Sequence, residues 1–81
     1  MNLTARQVTV LKLLADGASV EDMAHVLYLS PETIRTHRKT LYKRMRVSNA
    51  AHAVATGFRL GILRADIIEY AFDRGSYGQA R

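Results

Sequence analysis

Residues 30–46 read SPETIRTHRKTLYKRMR, and this stretch opens with the signals of a helix start. Ser30 is a residue type that caps free backbone N–H groups, and Pro31 has the φ angle of a first helical position. Glu32 suits the positive end of the helix dipole. These signals predict a helix from residue 31 to about residue 45.

The predicted helix has an apolar line and an opposite polar side. At about 100° per residue, the apolar residues of the helix fall on one line, which predicts its buried side. They are Ile34, Leu41 and Met45. The residues that project away from this line are Glu32, Arg35, Thr36, Lys39, Lys43 and Arg46. The exposed side of the helix is therefore mainly basic.

Positive charge is concentrated in this part of the chain. Between positions 33 and 65 there are eight Arg or Lys residues and no Asp or Glu, and six of the eight lie between positions 35 and 46. A solvated helix face gains support from opposite charges at i, i+4, whereas like charges at that spacing repel one another. The uncompensated repulsion favours an anionic ligand over a merely solvated face.

The composition agrees with such a ligand. The net charge of +5 and a pI of about 10.1 favour polyanionic partners, with nucleic acid ahead of an anionic membrane. With 81 residues the chain is one small domain, near the lower size at which a hydrophobic core alone holds a fold. A second subunit is therefore expected.

Three further helices are predicted around the basic one. Capping-box pairs start the first two: Thr4 with Gln7, and Ser19 with Asp22. They predict helices at residues 5–16 and 20–28, and Ser48 predicts the cap of a fourth helix at residues 49–60. Glycines mark two of the ends: Gly17 and Gly61. Another glycine, Gly57, falls inside the fourth helix and predicts close approach of another helix. The fold class is all-α, with four helices.

The C-terminal residues form a separate segment in this scheme. Apolar residues recur at helical spacing between positions 64 and 73, which predicts a short fifth helix: Ile67, Ile68, Ala71 and Phe72. Residues 75–81 are expected to be a frayed tail. The predicted organisation is thus a four-helix domain at residues 1–63 and a C-terminal extension at residues 64–81.

The helices at 20–28 and 31–45 are joined by a very short connection, which is typical of a helix-turn-helix DNA-binding unit. In such units the first residues of the second helix meet base edges in the major groove. The predicted base-contacting residues are Arg35, Thr36 and Lys39. The predicted backbone-contacting residues are Ser30, Thr33, His37, Arg38, Lys43 and Arg46.

The residues also resemble a known family. The matching segments are LTARQ at 3–7, VLKLLADG at 10–17, MAHVLYLS at 23–30, TIRTHR at 33–38 and LYKRMRV at 41–47. They resemble the LuxR-type, or GerE-like, helix-turn-helix domain, and the resemblance covers about residues 3–63. It implies a four-helix domain that binds DNA as a dimer, with the third helix in the major groove and the fourth helix making the subunit contact.

The chain departs from the family pattern at several positions. Gln7 stands where the family usually has glutamate, and Ala50 stands where it usually has arginine, which indicates an absent ion pair. Glu21 occupies a position that often holds lysine, and Arg46 replaces the usual glycine before the fourth helix. Most members carry this domain behind a controlling domain. Because Met1 stands directly before the match, we expect either a trimmed domain or a stand-alone regulator.

The fourth helix has two different sides. Ala53, Val54 and Gly57 are expected to pack inward, and a second side carries the predicted dimer interface. Its residues are Ala51, His52, Ala55, Phe58 and Arg59. A homodimer built through this side has twofold symmetry, so its double-stranded DNA site should be roughly palindromic. RNA polymerase is a further expected partner of such a regulator.

Other functions have little support in the sequence. There is no cysteine, and the three histidines lie on different predicted helices without ligand spacing: His25, His37 and His52. No glycine-bounded elbow positions Ser48 beside His52 and Asp66 as a catalytic set. We therefore expect no metal, no cofactor and no enzymatic activity.

A membrane role is also disfavoured. No apolar run approaches the roughly 20 residues of a spanning helix, and no signal peptide is evident. The expectation is a bacterial or phage-encoded cytoplasmic protein, nucleoid-associated when bound. Three alternatives remain open: a protein-interaction adaptor or anti-activator, a sigma-factor-like promoter-binding domain, and an architectural or recombination accessory factor. Residues 53–63 favour the regulator over the sigma-factor domain.

Overall fold

The computed structural model describes residues 2–64, and these residues form four α-helices. The helices are α1 at Ala5–Ala15, α2 at Val20–Leu27, α3 at Pro31–Met45 and α4 at Ala50–Arg59. The prediction of an all-α fold with four helices is confirmed for these residues. Residues 65–81 lie outside the described residues, and with them most of the predicted fifth helix and the whole tail.

Three of the four predicted N-terminal caps are present. Thr4 Oγ1 accepts a hydrogen bond from Gln7 N at 3.1 Å, and Gln7 Oε1 accepts one from Thr4 N at 2.9 Å. Ser19 and Asp22 form the same reciprocal pair, with both distances at 3.0 Å. Ser30 Oγ accepts from the backbone N–H at position 33 at 3.1 Å. These caps satisfy N–H groups that a helix start otherwise leaves unpaired.

The fourth predicted cap is wrong. Asn49, and not Ser48, caps α4, because Asn49 Oδ1 accepts from His52 N at 2.9 Å. A capping side chain reaches the N–H group two or three residues after it. Since α4 begins at Ala50, Ser48 lies one position too early to make this bond.

Each of the four helices is followed, one or two positions after its last residue, by a residue with positive φ. These residues are Gly17, Tyr28, Arg46 and Gly61, with φ of 84°, 57°, 60° and 79°. In each case the N–H of the next residue donates to the carbonyl five positions earlier, at 2.9–3.0 Å. This 6→1 bond is the mark of a Schellman motif. Two of the four residues are not glycine, and the left-handed backbone costs such a residue roughly 1–2 kcal/mol.

The core lies between α3 and the other three helices, each of which α3 contacts. The largest fully buried side chains are Val10, Leu11, Met23, Ile34 and Leu41. The predicted buried line of α3 is confirmed, because all three of its members are buried. Leu13 is buried as well. Its carbonyl accepts the Schellman bond from Ala18, and a hydrophobic contact commonly accompanies that bond.

Gly57 lets α4 approach its neighbours closely, as the sequence predicts. A Cβ atom at this position would lie 2.8 Å from Leu63 Cδ1 and 3.1 Å from Leu11 Cδ2. Leu11 belongs to α1, and Leu63 belongs to the segment that follows α4. The close approach also buries Ala53 one turn earlier, so this side of α4 faces the core.

Candidate nucleic-acid interface

A three-residue connection sets the direction of α3. It runs from Tyr28, the left-handed cap of α2, through half-buried Leu29 to Ser30, the N-cap of α3. Leu29 N donates to Ala24 O at 3.0 Å, which fixes the connection to α2. Because both ends of the connection are tied by hydrogen bonds, α3 starts at a defined angle to α2. This is the helix-turn-helix arrangement that the sequence predicts.

The outward side of α3 is a continuous polar surface. Its exposed residues are Glu32, Arg35, Thr36, Lys39 and Lys43, with Arg46 exposed at the helix end. The three predicted base-contacting residues, at positions 35, 36 and 39, occupy neighbouring places on this surface, since they stand at i, i+1 and i+4. The structure thus brings them together on the side opposite the buried line. Their contacts with DNA bases remain predictions.

Thr36 is constrained by its own helix. Its hydroxyl donates to Glu32 O at 3.3 Å, and Thr40 Oγ1 donates to Thr36 O at 2.9 Å. With its hydrogen used inside the helix, the Thr36 hydroxyl keeps only acceptor capacity. A contact of its methyl group with a thymine methyl is therefore compatible with this geometry.

The start of α3 holds two of the predicted phosphate contacts, Ser30 and Thr33. Ser30 Oγ donates to Thr33 Oγ1 at 2.9 Å, in addition to capping the helix. The Ser30 hydrogen is therefore occupied, while the Thr33 hydroxyl still has its own hydrogen to donate. The two residues fit different roles, with Thr33 as the donor to a phosphate and Ser30 as the group that positions it.

Half-buried Arg38 is held by a residue that the sequence reasoning missed. Arg38 Nε donates to Tyr42 Oη at 3.3 Å, and the guanidinium carbon lies 6.0 Å from the centroid of the Tyr42 ring. Together with Arg35 and Lys39, these two residues line an open depression of about 340 Å³. The only signal in the sequence is the i, i+4 spacing of Arg38 and Tyr42 on one helix. His37, which precedes Arg38 in the chain, is also half-buried.

A second basic depression lies where the last turns of α3 meet the start of α1. Its volume is about 390 Å³, and its lining residues are Gln7, Thr40, Lys43, Arg44 and Arg46. Arg44 Nε donates to Asn2 O at 2.9 Å across 42 positions of the chain. Lys43 and Arg46 are predicted backbone contacts, whereas the sequence reasoning missed that Gln7 and Arg44 join them.

The predicted dimer residues share one exposed side of α4. All five are exposed: Ala51, His52, Ala55, Phe58 and Arg59. Leu60 follows directly and is 47% exposed, so it adds apolar area beside Phe58, which is 40% exposed. The inward side is buried or half-buried at Ala53 and Val54. The structure therefore separates the two sides of α4 as predicted, and dimerisation itself remains a prediction.

Two searches of the described residues gave negative results. Residues 2–64 contain no group of three or more His, Cys, Asp or Glu side chains that could hold a metal ion. None of the helices in this part of the chain is long and apolar enough to cross a membrane.

Comparison with known families agrees with the helix-turn-helix fold. The family model for bacterial regulatory proteins of the luxR family, GerE, matches residues 1–56. This chain belongs to the luxR family. Its helix-turn-helix domain is thus a DNA-binding domain of transcription regulators, and proteins of this kind are not enzymes.

Curated relatives share the same segment. The "Probable transcriptional regulatory protein NarL" of Mycobacterium tuberculosis is 41% identical over 61 residues, which are 75% of this chain and 28% of the relative. The "Uncharacterized response regulatory protein YgeK" of Escherichia coli is 35% identical over 60 residues, 74% of this chain and 41% of that protein.

A much longer relative is the "HTH-type transcriptional regulator MalT" of Vibrio cholerae, which is 40% identical over 58 residues, 72% of this chain and 6% of that protein. The chain thus spans less than half the length of each of these three relatives. No solved structure gave a significant match.

Proposed function

We propose that this chain is a sequence-specific regulator of transcription that binds double-stranded DNA as a dimer, with α3 in the major groove. The observation that carries the proposal is the exposed cluster of Arg35, Thr36 and Lys39 on the first half of α3. A helix-turn-helix unit places this half of its second helix against base edges. Arg and Lys favour guanine, and Thr accommodates a thymine methyl.

Phosphate contacts around this cluster supply most of the affinity. At the helix start, Thr33 has a free hydroxyl hydrogen, and Ser30 holds it in place. Along the helix, Arg38 is oriented by its bond to Tyr42, and half-buried His37 precedes it in the chain. Lys43 and the exposed side chain of Arg46 extend the positive surface to the helix end. Phosphate contacts of this kind position the protein without reading sequence.

The dimer forms through the exposed side of α4. Its small residues, Ala51 and Ala55, allow two copies of the helix to approach closely, and Phe58 adds apolar area. His52 and Arg59 lie at the rim of this contact. Twofold symmetry of the protein requires a roughly palindromic site, with the two recognition helices in major grooves about one turn, or 10 bp, apart. Because the contact is small, dimerisation is completed on DNA.

Other features of the proposal rest on the relatives and on the sequence pattern. The relatives described as transcriptional regulators support a role in transcription. We further propose that the chain acts in the bacterial cytoplasm, with RNA polymerase as a further partner. We assign DNA binding to residues 1–63 and treat residues 64–81 as an extension.

Selection of bound sequences from random double-stranded DNA tests the proposal. The wild-type chain should enrich a palindrome, and Arg35→Ala should relax the preference at one position in each half-site. Affinity for the selected duplex should fall steeply with salt, with a log–log slope of about −0.9 for each phosphate neutralised, or near −5 for on the order of six contacts.

Each alternative function has its own outcome in this experiment. An absence of DNA affinity even at low salt would indicate an adaptor or anti-activator that binds another protein. Affinity without sequence preference, together with bending of the duplex, would indicate an architectural factor. Enrichment of one promoter element without twofold symmetry would indicate sigma-factor-like binding.

A further inference from the structure

The depression at the junction of α1 and α3 has the composition of an anion site. Three of its five lining residues are cationic and none is acidic: Gln7, Thr40, Lys43, Arg44 and Arg46. Like charges this close repel one another and destabilise the free protein slightly. A positive charge at the C-terminal end of α3 interacts favourably with the negative end of the helix dipole. Three cations are more than this interaction alone explains.

Gln7 contributes an uncharged donor to this depression. A backbone N–H can only donate, so the bond from Thr4 N at 2.9 Å must go to the amide oxygen of Gln7. The amide nitrogen is then the remaining polar atom of the side chain, and no bond to it occurs within residues 2–64. A glutamate here would cap α1 equally well but would place a second anionic oxygen where this nitrogen lies.

Arg44 is held in place with donors to spare, and Arg46 has a left-handed backbone. Arg44 uses Nε for its bond to Asn2 O, which leaves both terminal nitrogens of the guanidinium group available. Arg46 stands at the left-handed end of α3, with φ of 60°, where glycine would be free of strain. The chain therefore tolerates backbone strain at the position that adds the third cation.

We propose that this depression binds one phosphate of the DNA backbone per subunit, beyond the segment that the recognition helix reads, and that the neutral amide of Gln7 makes it receptive to the anion. The inference rests on the proposed function for the identity of the ligand. Lys43, Arg44 and Arg46 provide the charge, and Gln7 Nε2 donates a hydrogen bond. Thr40 only shapes the wall, because its hydroxyl hydrogen is bonded to Thr36 O.

The decisive variant is Gln7→Glu, which is nearly isosteric and keeps the capping box. Ala5→Glu is its matched control, because it adds the same charge at an exposed position on the first turn of α1, outside the depression. We expect Gln7→Glu to weaken binding to the selected duplex about tenfold, as loss of a charge-assisted contact would. The salt slope should fall by about one for each subunit.

Equal affinities and salt slopes for Gln7→Glu and Ala5→Glu would overturn the site. The same conclusion would follow if Gln7→Glu raised the melting temperature and bound DNA as Ala5→Glu does. The three cations would then serve the fold alone.

Inorganic phosphate provides a test that does not depend on DNA recognition. The side-chain amide signals of Gln7 in nitrogen-15 NMR spectra should shift during a phosphate titration of the wild-type chain, and should shift much less in Arg46→Gly. If these signals move but no DNA sequence is selected, the proposed function fails and the anion site stands. If the Gln7 amide signals shift with neither phosphate nor the duplex, the anion site is refuted, even if the chain binds DNA through α3.

Discussion

Arg38 donates a 3.3 Å hydrogen bond from Nε to the hydroxyl of Tyr42, one turn later on the same helix. The guanidinium carbon also lies 6.0 Å from the centre of the tyrosine ring, at the outer limit of a cation–π contact. Both interactions reduce the number of conformations that the Arg38 side chain adopts in the free protein. A side chain that is ordered in advance loses less entropy on binding.

Removal of the Tyr42 hydroxyl should therefore weaken DNA binding without unfolding the domain. We expect Tyr42→Phe to lower affinity by a few fold, since one hydrogen bond contributes on the order of 1 kcal/mol. Fluorescence anisotropy with the selected duplex measures the affinity, and circular dichroism reports the fold. Tyr28→Phe is the control, because Tyr28 is 92% exposed. If the two variants bind equally well, Tyr42 does not position Arg38 for DNA.

The two classes of contact on α3 should respond differently to alanine. Arg35→Ala and Lys39→Ala should each relax the preference at one base position and lower affinity by roughly 1–3 kcal/mol per half-site. Lys43→Ala should weaken binding to all sequences similarly, because a phosphate contact carries no sequence information. A binding-site selection with each variant makes the comparison. Uniform loss in all three would mean that another face of α3 enters the groove.

Replacement of Arg46 by glycine should raise the stability of the domain and lower its affinity for DNA. Arg46→Gly relieves the left-handed strain, and we expect a gain of about 1 kcal/mol in the free energy of unfolding together with weaker DNA binding at every sequence. Arg46→Ala is the matched control, since it removes the charge and keeps the strain. It should lose affinity without the gain in stability. Chemical denaturation measures the free energy of unfolding, and fluorescence anisotropy measures the DNA affinity. Unchanged affinity in both variants would contradict the role of Arg46.

Measurements of stability can show which of two residues, Ser48 or Asn49, caps α4. Asn49→Ala should lower the free energy of unfolding by about 1 kcal/mol, because His52 N loses its hydrogen bond. In a domain of this size the melting temperature would fall by roughly 4–8 °C for each kcal/mol. Ser48→Ala should change it far less. Equal losses would show that Ser48 also supports the start of α4.

Ala55→Glu tests the dimer surface on α4. Ala55 is exposed, so the substitution should leave the monomer folded by circular dichroism. Two like charges across the twofold axis should abolish two-to-one complexes on a palindromic duplex. Native gel electrophoresis or analytical ultracentrifugation gives the stoichiometry, with Ala5→Glu on α1 as the control. Persistence of the two-to-one complex in Ala55→Glu would exclude this side of α4 as the subunit contact.

Local signals in the chain were sufficient for the helices and for the exposed side of α3. Capping boxes join groups three residues apart, and helical periodicity places apolar residues on one side, so neither depends on distant parts of the chain. The fold class, three of the four caps and the buried line of α3 could accordingly be predicted. The outward direction of the predicted base-contacting residues followed from the same periodicity.

Other features depend on contacts between distant residues. Tyr28 and Arg46 take left-handed backbones that their residue types disfavour, because the packing of α2, α3 and α4 outweighs a strain of roughly 1–2 kcal/mol. The bond from Arg44 to Asn2 spans 42 positions, and no local pattern encodes such a separation. The depression that joins Gln7 to the end of α3 exists only because these helices pack together, which is why tertiary structure was needed to find it.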